Sequence, residues 1–272
     1  MALTRELNEL TCRLAKSAEL ARSGAMRDLE RGVCGCDYGS TSGTTRREAE
    51  QIARLLELGP GVKLLDAGSG SGWPGLYFAQ LTGCDIVLVD IPLAAVRIAR
   101  ERGVADGISG RCEVIVADAA ALPLREASFD ALSHSDLLCC TPDKLGVLRE
   151  CRRVARHGAT TVFTVIAPAP SLADSERRIV IASGPKFVDT ADDYAVLLDQ
   201  SGWWLRERTD LTAELLQYMR AELEGMQARA EALTELLGSD GFTERVKRQQ
   251  GMIAAIAAGF LRREMFVAHA DR

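Results

Sequence analysis

The sequence predicts an α/β protein built on a doubly wound parallel sheet, and three observations predict it. From residue 63 onward, short apolar runs of strand length alternate with segments of helical periodicity. Three of these runs lead to an acid, at Asp66, Asp90 and Asp118. The first, Leu64-Leu65-Asp66-Ala67-Gly68-Ser69-Gly70-Ser71-Gly72, opens into alternating glycines. That is the pattern of a buried strand feeding a tight turn before a helix, where backbone N–H groups are exposed to a ligand.

Composition narrows the class. With 272 residues, 47% of them hydrophobic, the chain can bury a full-sized core, and one integrated domain with additions is expected. A net charge of −5 and a pI near 5.4 give no general attraction to nucleic acid, so a small-molecule or neutral partner is expected. A homodimer is left open. No apolar run approaches the ~20 residues of a membrane span. Eight cysteines, with an N-terminal stretch rich in both charge signs, point to free thiols in a reducing, cytoplasmic setting.

Leu3, Leu7, Leu10 and Leu14 form one apolar stripe, read as a packing helix, with a second helical piece to about Glu30. Residues 32–45 form a glycine-rich loop holding Cys34-Gly35-Cys36 and Asp37-Tyr38. No cysteine pair of zinc-type spacing follows, so no metal site is assigned. Tyr38 is placed as an aromatic that can close over a cofactor, or as a packing residue. A helix over 46–58 stops at Gly59-Pro60-Gly61.

The core then reads strand 63–67, helix 74–81, strand 86–90, helix 92–102, strand 112–117, strand 129–133, helix 144–155 and strand 159–167. Residues 171–189 read as a long irregular connection. Thr190 and Asp193 suggest a helix start, the helix running to Gln200. Strands 203–208 and 263–269 flank a helical insertion over 212–258, a lid if the sixth strand is parallel to the others. The expected organisation is a helical cap and lid loop over 1–45, a core over 46–211 and 260–272, and a lid insertion over 212–259.

These strand ends suit a sulfonium cofactor such as S-adenosylmethionine, leaving S-adenosylhomocysteine as product. Gly68, Gly70 and Gly72 let the backbone approach the methionyl and ribose region, and Asp66 can accept from the turn or from the ligand ammonium. Asp90, 18 residues beyond Gly72, is placed to accept from both ribose hydroxyls, with Ile91 covering an adenine face. Asp118 can accept from the adenine amine, and the Ala119 N–H can donate to a ring nitrogen. Gly70-Ser71-Gly72-Trp73-Pro74-Gly75 also fits a dinucleotide pattern, which keeps an NAD(P)-dependent oxidoreductase as an alternative. The charge of Asp66 disfavours a pyrophosphate there. If the acceptor must lose a proton, His134 and Asp136 after the fourth strand are the candidate bases.

On these residues the chain resembles class I S-adenosylmethionine-dependent methyltransferases of the ubiquinone-biosynthesis type. Asp66 to Gly72 matches the family's D-x-G-x-G-x-G motif, Asp90 its second-strand acid, and Asp118-Ala119 before Leu122-Pro123 its third-strand motif. Phe129-Asp130-Ala131, Pro142-Asp143 and Arg153-Val154 through Gly158 extend the match, which covers residues 46–163 and the final strands. The resemblance implies a Rossmann-like seven-stranded sheet of order 3-2-1-4-5-7-6 with its last-numbered strand antiparallel. It also implies cofactor contacts from Ser71 and Ser135. Leu138-Cys139-Cys140 stands where many relatives carry Leu-His-His, so no role of those histidines carries over. The cysteines add a minor alternative, similarity to arsenite methyltransferases, and a non-catalytic cofactor-binding protein is the third reading.

Overall fold

The apolar run before the glycines forms β1 (Lys63–Ala67), the centre of the sheet. The computed structural model describes residues 2–39 and 42–271, with side chains from Arg5 onward; Leu3 of the expected stripe and Ser40-Thr41 of the loop therefore lie outside the described side chains. β1 pairs in parallel with β2 (Asp85–Asp90) on one side and β4 (Phe129–Ser135) on the other. Outward from β2 lies β3 (Cys112–Val116), and outward from β4 lie β5 (Ala155–Pro168), β7 (Leu261–His269) and β6 (Trp204–Asp210). The order is 3-2-1-4-5-7-6, with β7 antiparallel to both neighbours. β6 therefore runs parallel to the rest, and its last residue, Asp210, reaches the same sheet edge as Asp90.

Both faces are covered, which is why the central strands are nearly unbroken apolar runs. Alternation along β1 sends Leu64 to one core and Leu65 to the other. The Leu64 face packs α3 (Arg46–Leu55), α4 (Gly75–Thr82) and α5 (Leu93–Ala105). The Leu65 face packs α6 (Lys144–Val154) and α8 (Tyr194–Gln200).

Before the core stand α1 (Ala2–Leu20) and α2 (Gly24–Cys34). The insertion between β6 and β7 is three helices, α9 (Thr212–Ala228), α10 (Ala230–Leu237) and α11 (Ser239–Ala257). Leu215 and Met219 of α9 enter the main core, while Met226 and Leu233 close on Leu29 of α2. Gly225 permits that approach, since a Cβ there would lie 2.6 Å from Leu29 Cδ1.

Several boundaries differ from the sequence expectation. The span read as irregular, 171–189, contains α7 (Asp174–Ser183). Its Ile179 and Ile181 are exposed and only Val180 is buried, so no inward stripe announced it. Asp193, not Thr190, caps α8: its Oδ1 accepts from the Ala195 N–H, whereas Thr190 Oγ1 donates to the Asp192 carbonyl. β4 runs two residues past the expected end at Ser133, which decides where His134 points.

Candidate active site

The carboxyl ends of β1, β2 and β3 open onto one cleft of two lobes. The first lies between the β2 and β3 ends and α1, with Asp90, Ile91, Asp118 and Ala119 below and Leu7, Leu10 and Leu14 above. The second is bounded by Gly68, Ser69, Gly70, Ser71, Trp73, Ser135 and Asp136. Gly68, Asp90, Leu137 and Cys140 border both. The helix read as packing is thus also the roof, its leucine stripe turned to the cleft.

Asp90 is pinned by the turn it faces. Its Oδ2 accepts from the Gly70 N–H at 2.6 Å and its Oδ1 from the Ile91 N–H at 2.7 Å. Burial raises its pKa, and these two donors oppose the rise. The carboxylate is held in one orientation, with lone pairs left for a diol. Asp118 is exposed and turns Oδ1 to the Ala120 N–H at 2.9 Å. Gly70 has φ +54, and a Cβ there would meet nothing within 4 Å among the described residues, so its backbone faces the lobe. Ser69 Oγ is buried in the same wall without a partner among the described residues. Close-approach backbone, an orphaned hydroxyl and a fixed carboxylate fit a ligand with a polar amino-acid end and a ribose.

Asp66 is elsewhere. It is 1% exposed, accepts from Ser133 Oγ at 3.0 Å, and faces the start of α4, where a Cβ on Gly75 would lie 2.5 Å from its Oδ2. Burial pushes its pKa up to about 7, helped by Asp90 and opposed by Ser133 and the Gly75 N–H. The carboxyl supports the turn from beneath and does not border the cleft, in contrast to the expected ligand contact. Gly72 also serves packing: a Cβ would lie 2.4 Å from Leu76 Cδ1.

Tyr38 takes the second of its two expected roles, packing. Its ring packs 5.4 Å from Trp73 beneath the Arg102 guanidinium, and its hydroxyl lies 3.0 Å from Gln80 Oε1 and 3.2 Å from Asp106 Oδ2. The ring buttresses Trp73 from outside the cleft, and no aromatic lid is formed by it. Trp73 itself lines the second lobe and donates to the Thr44 carbonyl.

Neither candidate base is free to act as one. His134 is 1% exposed, stacks on Phe163 at 4.5 Å, and has no partner on either ring nitrogen among the described residues. Burial holds its pKa down to about 3, so the ring is neutral. Asp136 borders the second lobe, yet both carboxylate oxygens lie 3.1 Å from Arg263 Nε, and Oδ2 also accepts from the Gly43 N–H. Its backbone is left-handed at φ +55. Arg263, fully buried, extends the network to Glu48, Thr44 and Thr164. Burial disfavours its charge, but the carboxylates of Asp136 and Glu48 raise its pKa well beyond the ordinary value.

Comparisons with known proteins bear on the fold and the cofactor. Residues 65–163 match the family described as methyltransferase domain. Methyltransferase GfsG of Streptomyces halstedii is 28% identical over 74% of this chain and 72% of its own length. The 27-O-demethylrifamycin SV methyltransferase of Amycolatopsis mediterranei is 28% identical over 76% of each chain. Among solved structures, Haemonchus contortus phosphoethanolamine N-methyltransferase 2, bound to phosphomonomethylethanolamine and S-adenosylhomocysteine, superposes with a TM-score of 0.78 at 16% identity, covering 95% of this chain and 61% of that one. In fold and sequence the chain is similar to class I S-adenosylmethionine-dependent methyltransferases, and methyl transfer from S-adenosylmethionine is the activity these relatives support. The oxidoreductase, arsenite and non-catalytic readings are not favoured.

Proposed function

We propose that the chain transfers a methyl group to a small-molecule acceptor, with the cofactor lying along the two-lobed cleft. The observation that carries this is the convergence of Gly68, Asp90 and Asp118, from three successive strands, on one cavity. The methionyl end is assigned to Gly68, Ser69, Gly70 and Ser71, with Ser135 beside it; the ribose to Asp90; and the adenine to Ile91, Asp118 and Ala119. When bound, S-adenosylmethionine supplies an electrophilic methyl for in-line displacement.

The protein's own contribution is placement and exclusion of water. α1 roofs both lobes through Leu7, Leu10, Leu14 and Ala18. Trp73, Ser135 and Asp136 wall the lobe where an acceptor would meet the methyl. With Asp136 engaged by Arg263 and His134 turned into the core, rate acceleration rests on positioning, and proton removal is left to the acceptor or to water. The small-molecule assignment is further supported by the relatives, one of which acts on 27-O-demethylrifamycin SV.

We read residues 1–45 and 212–259 as the cover that selects the acceptor and 46–211 with 260–272 as the core; packing of α9 on α2 joins the two cover segments. A cytoplasmic setting is proposed from the eight cysteines, and no helix among the described residues is long and apolar enough to cross a membrane. The test is transfer of a labelled methyl from S-adenosylmethionine to panels of small molecules. Transfer to a small acceptor, lost in Asp90→Ala, supports the reading; cofactor binding with transfer only to protein or nucleic acid overturns it.

A further inference from the structure

The last turn of α2 gathers three metal-ligating groups outside the cleft, and methyl transfer uses none of them. Cys34 ends the helix, Gly35 takes a left-handed conformation at φ 76, and the reversal brings Cys36 back against the helix it has left. Glu30 precedes Cys34 by four residues, so its carboxylate and that thiol share a helix face. The two Sγ atoms are 2.8 Å apart, Cys36 Sγ donates to Glu30 Oε1 at 3.3 Å, and the three ligand atoms lie within 4.8 Å of one another. Both cysteines are buried. The Cys-x-Cys spacing lacked a partner pair in sequence; the missing ligand is a carboxylate from the preceding helical turn.

We propose that Glu30, Cys34 and Cys36 bind a divalent, borderline-soft cation of the Zn²⁺ type. Binding forms two metal–thiolate bonds and one metal–carboxylate bond and releases two thiol protons to solvent, with no change of oxidation state. Rotating the thiols apart to about 3.8 Å gives the separation of two sulfurs each ~2.3 Å from a tetrahedral centre. The thiolates select zinc over magnesium or calcium. Glu30 Oε2 already accepts from the Gly39 N–H at 2.7 Å, a bond that orients the carboxylate and ties the site to a residue bordering the second lobe. A disulfide between the same cysteines is the competing chemistry, but a carboxylate within reach of a thiol adds a ligand to a metal and nothing to a disulfide.

The test uses the full-length protein purified without chelator. Zinc content is measured, and the metal-stripped protein is titrated with Co²⁺ while the thiolate-to-cobalt charge-transfer band is followed. About one zinc per chain and a band in the wild type are expected, with the band lost in Cys34→Ser and in Cys36→Ser and retained in Cys12→Ser, whose cysteine is exposed on α1. Glu30→Gln keeps both thiols and should weaken cobalt binding by roughly 10–100-fold or more. No band with free thiols present, a Cys34–Cys36 disulfide recovered in place of metal, or a band unchanged in both serine variants overturns the proposal. The wild-type spectrum and Glu30→Gln decide the matter even where a serine variant fails to fold.

Discussion

Arg263 Nε lies 3.1 Å from each carboxylate oxygen of Asp136, and its guanidinium reaches Glu48 Oε2 at 2.9 Å through Nη1. One guanidinium thus bridges carboxylates from the β4 end and from α3, and holds the wall of the second lobe. Arg263→Met strands both acids. The expected loss is about 3–5 kcal/mol of stability, as for a buried ion pair broken from one side. Arg263→Lys should not restore it, because an ammonium lacks the planar fork that spans three elements. Urea unfolding of the two variants checks this, and a loss below about 1 kcal/mol in either is the contrary result.

His134 provides a test of the no-base account. Replacing it with Phe keeps a ring against Phe163 and removes two unpartnered nitrogens. Transfer rate should stay within a few-fold of wild type. A positioned base contributes about 10²–10⁴-fold, so a fall of that size in a folded variant would restore His134 to catalysis.

The same substitution has a pH signature. The folded-state pKa of His134 is depressed to about 3 from 6.5, so between those values the unfolded chain binds more protons than the folded one. Stability therefore falls as pH drops from about 6.5 toward 3, on the order of 1.4 kcal/mol per pH unit from this group. His134→Phe should flatten that acid limb in thermal melts recorded across pH, and an unchanged slope would contradict the assignment.

The strand ends were legible because each is local: an apolar run, an acid and a turn occupy adjacent positions, so Asp90 and Asp118 could be placed from the chain alone. What was not legible depends on faces and register. Ending β4 at Ser133 left His134 free to be imagined in the pocket. Two further strand residues put His134 and Ser135 on opposite faces, one against Phe163 and the other on the cleft. Arg263 and Asp136 are 127 residues apart and meet only because β7 inserts beside β5. Its charge gave no sign that it would be buried. Asp66 was legible as a motif but not in its orientation, since whether an acid faces ligand or helix depends on the packing of Gly75.

The glycines separate fold from ligand. Gly68→Ala would set a Cβ 2.8 Å from Leu137 Cδ1 at φ +69, so lower stability is expected before any effect on binding. Gly70→Ala meets no atom within 4 Å, though its φ of +54 is also strained. Its melting temperature should fall less, while cofactor affinity falls more, because the new methyl projects into the lobe. Melting curves with and without S-adenosylhomocysteine distinguish the two, and the reverse ranking is the contrary outcome.

Placement of the cofactor in the strand-end cleft, with Asp90 on its ribose, is tested by calorimetric titration of wild type and Asp90→Ala with S-adenosylhomocysteine. Loss of two charge-assisted hydrogen bonds is worth about 3 kcal/mol or more, so Kd should rise roughly 100-fold or beyond in a variant that still unfolds cooperatively. Equal affinity in the two proteins would contradict the account.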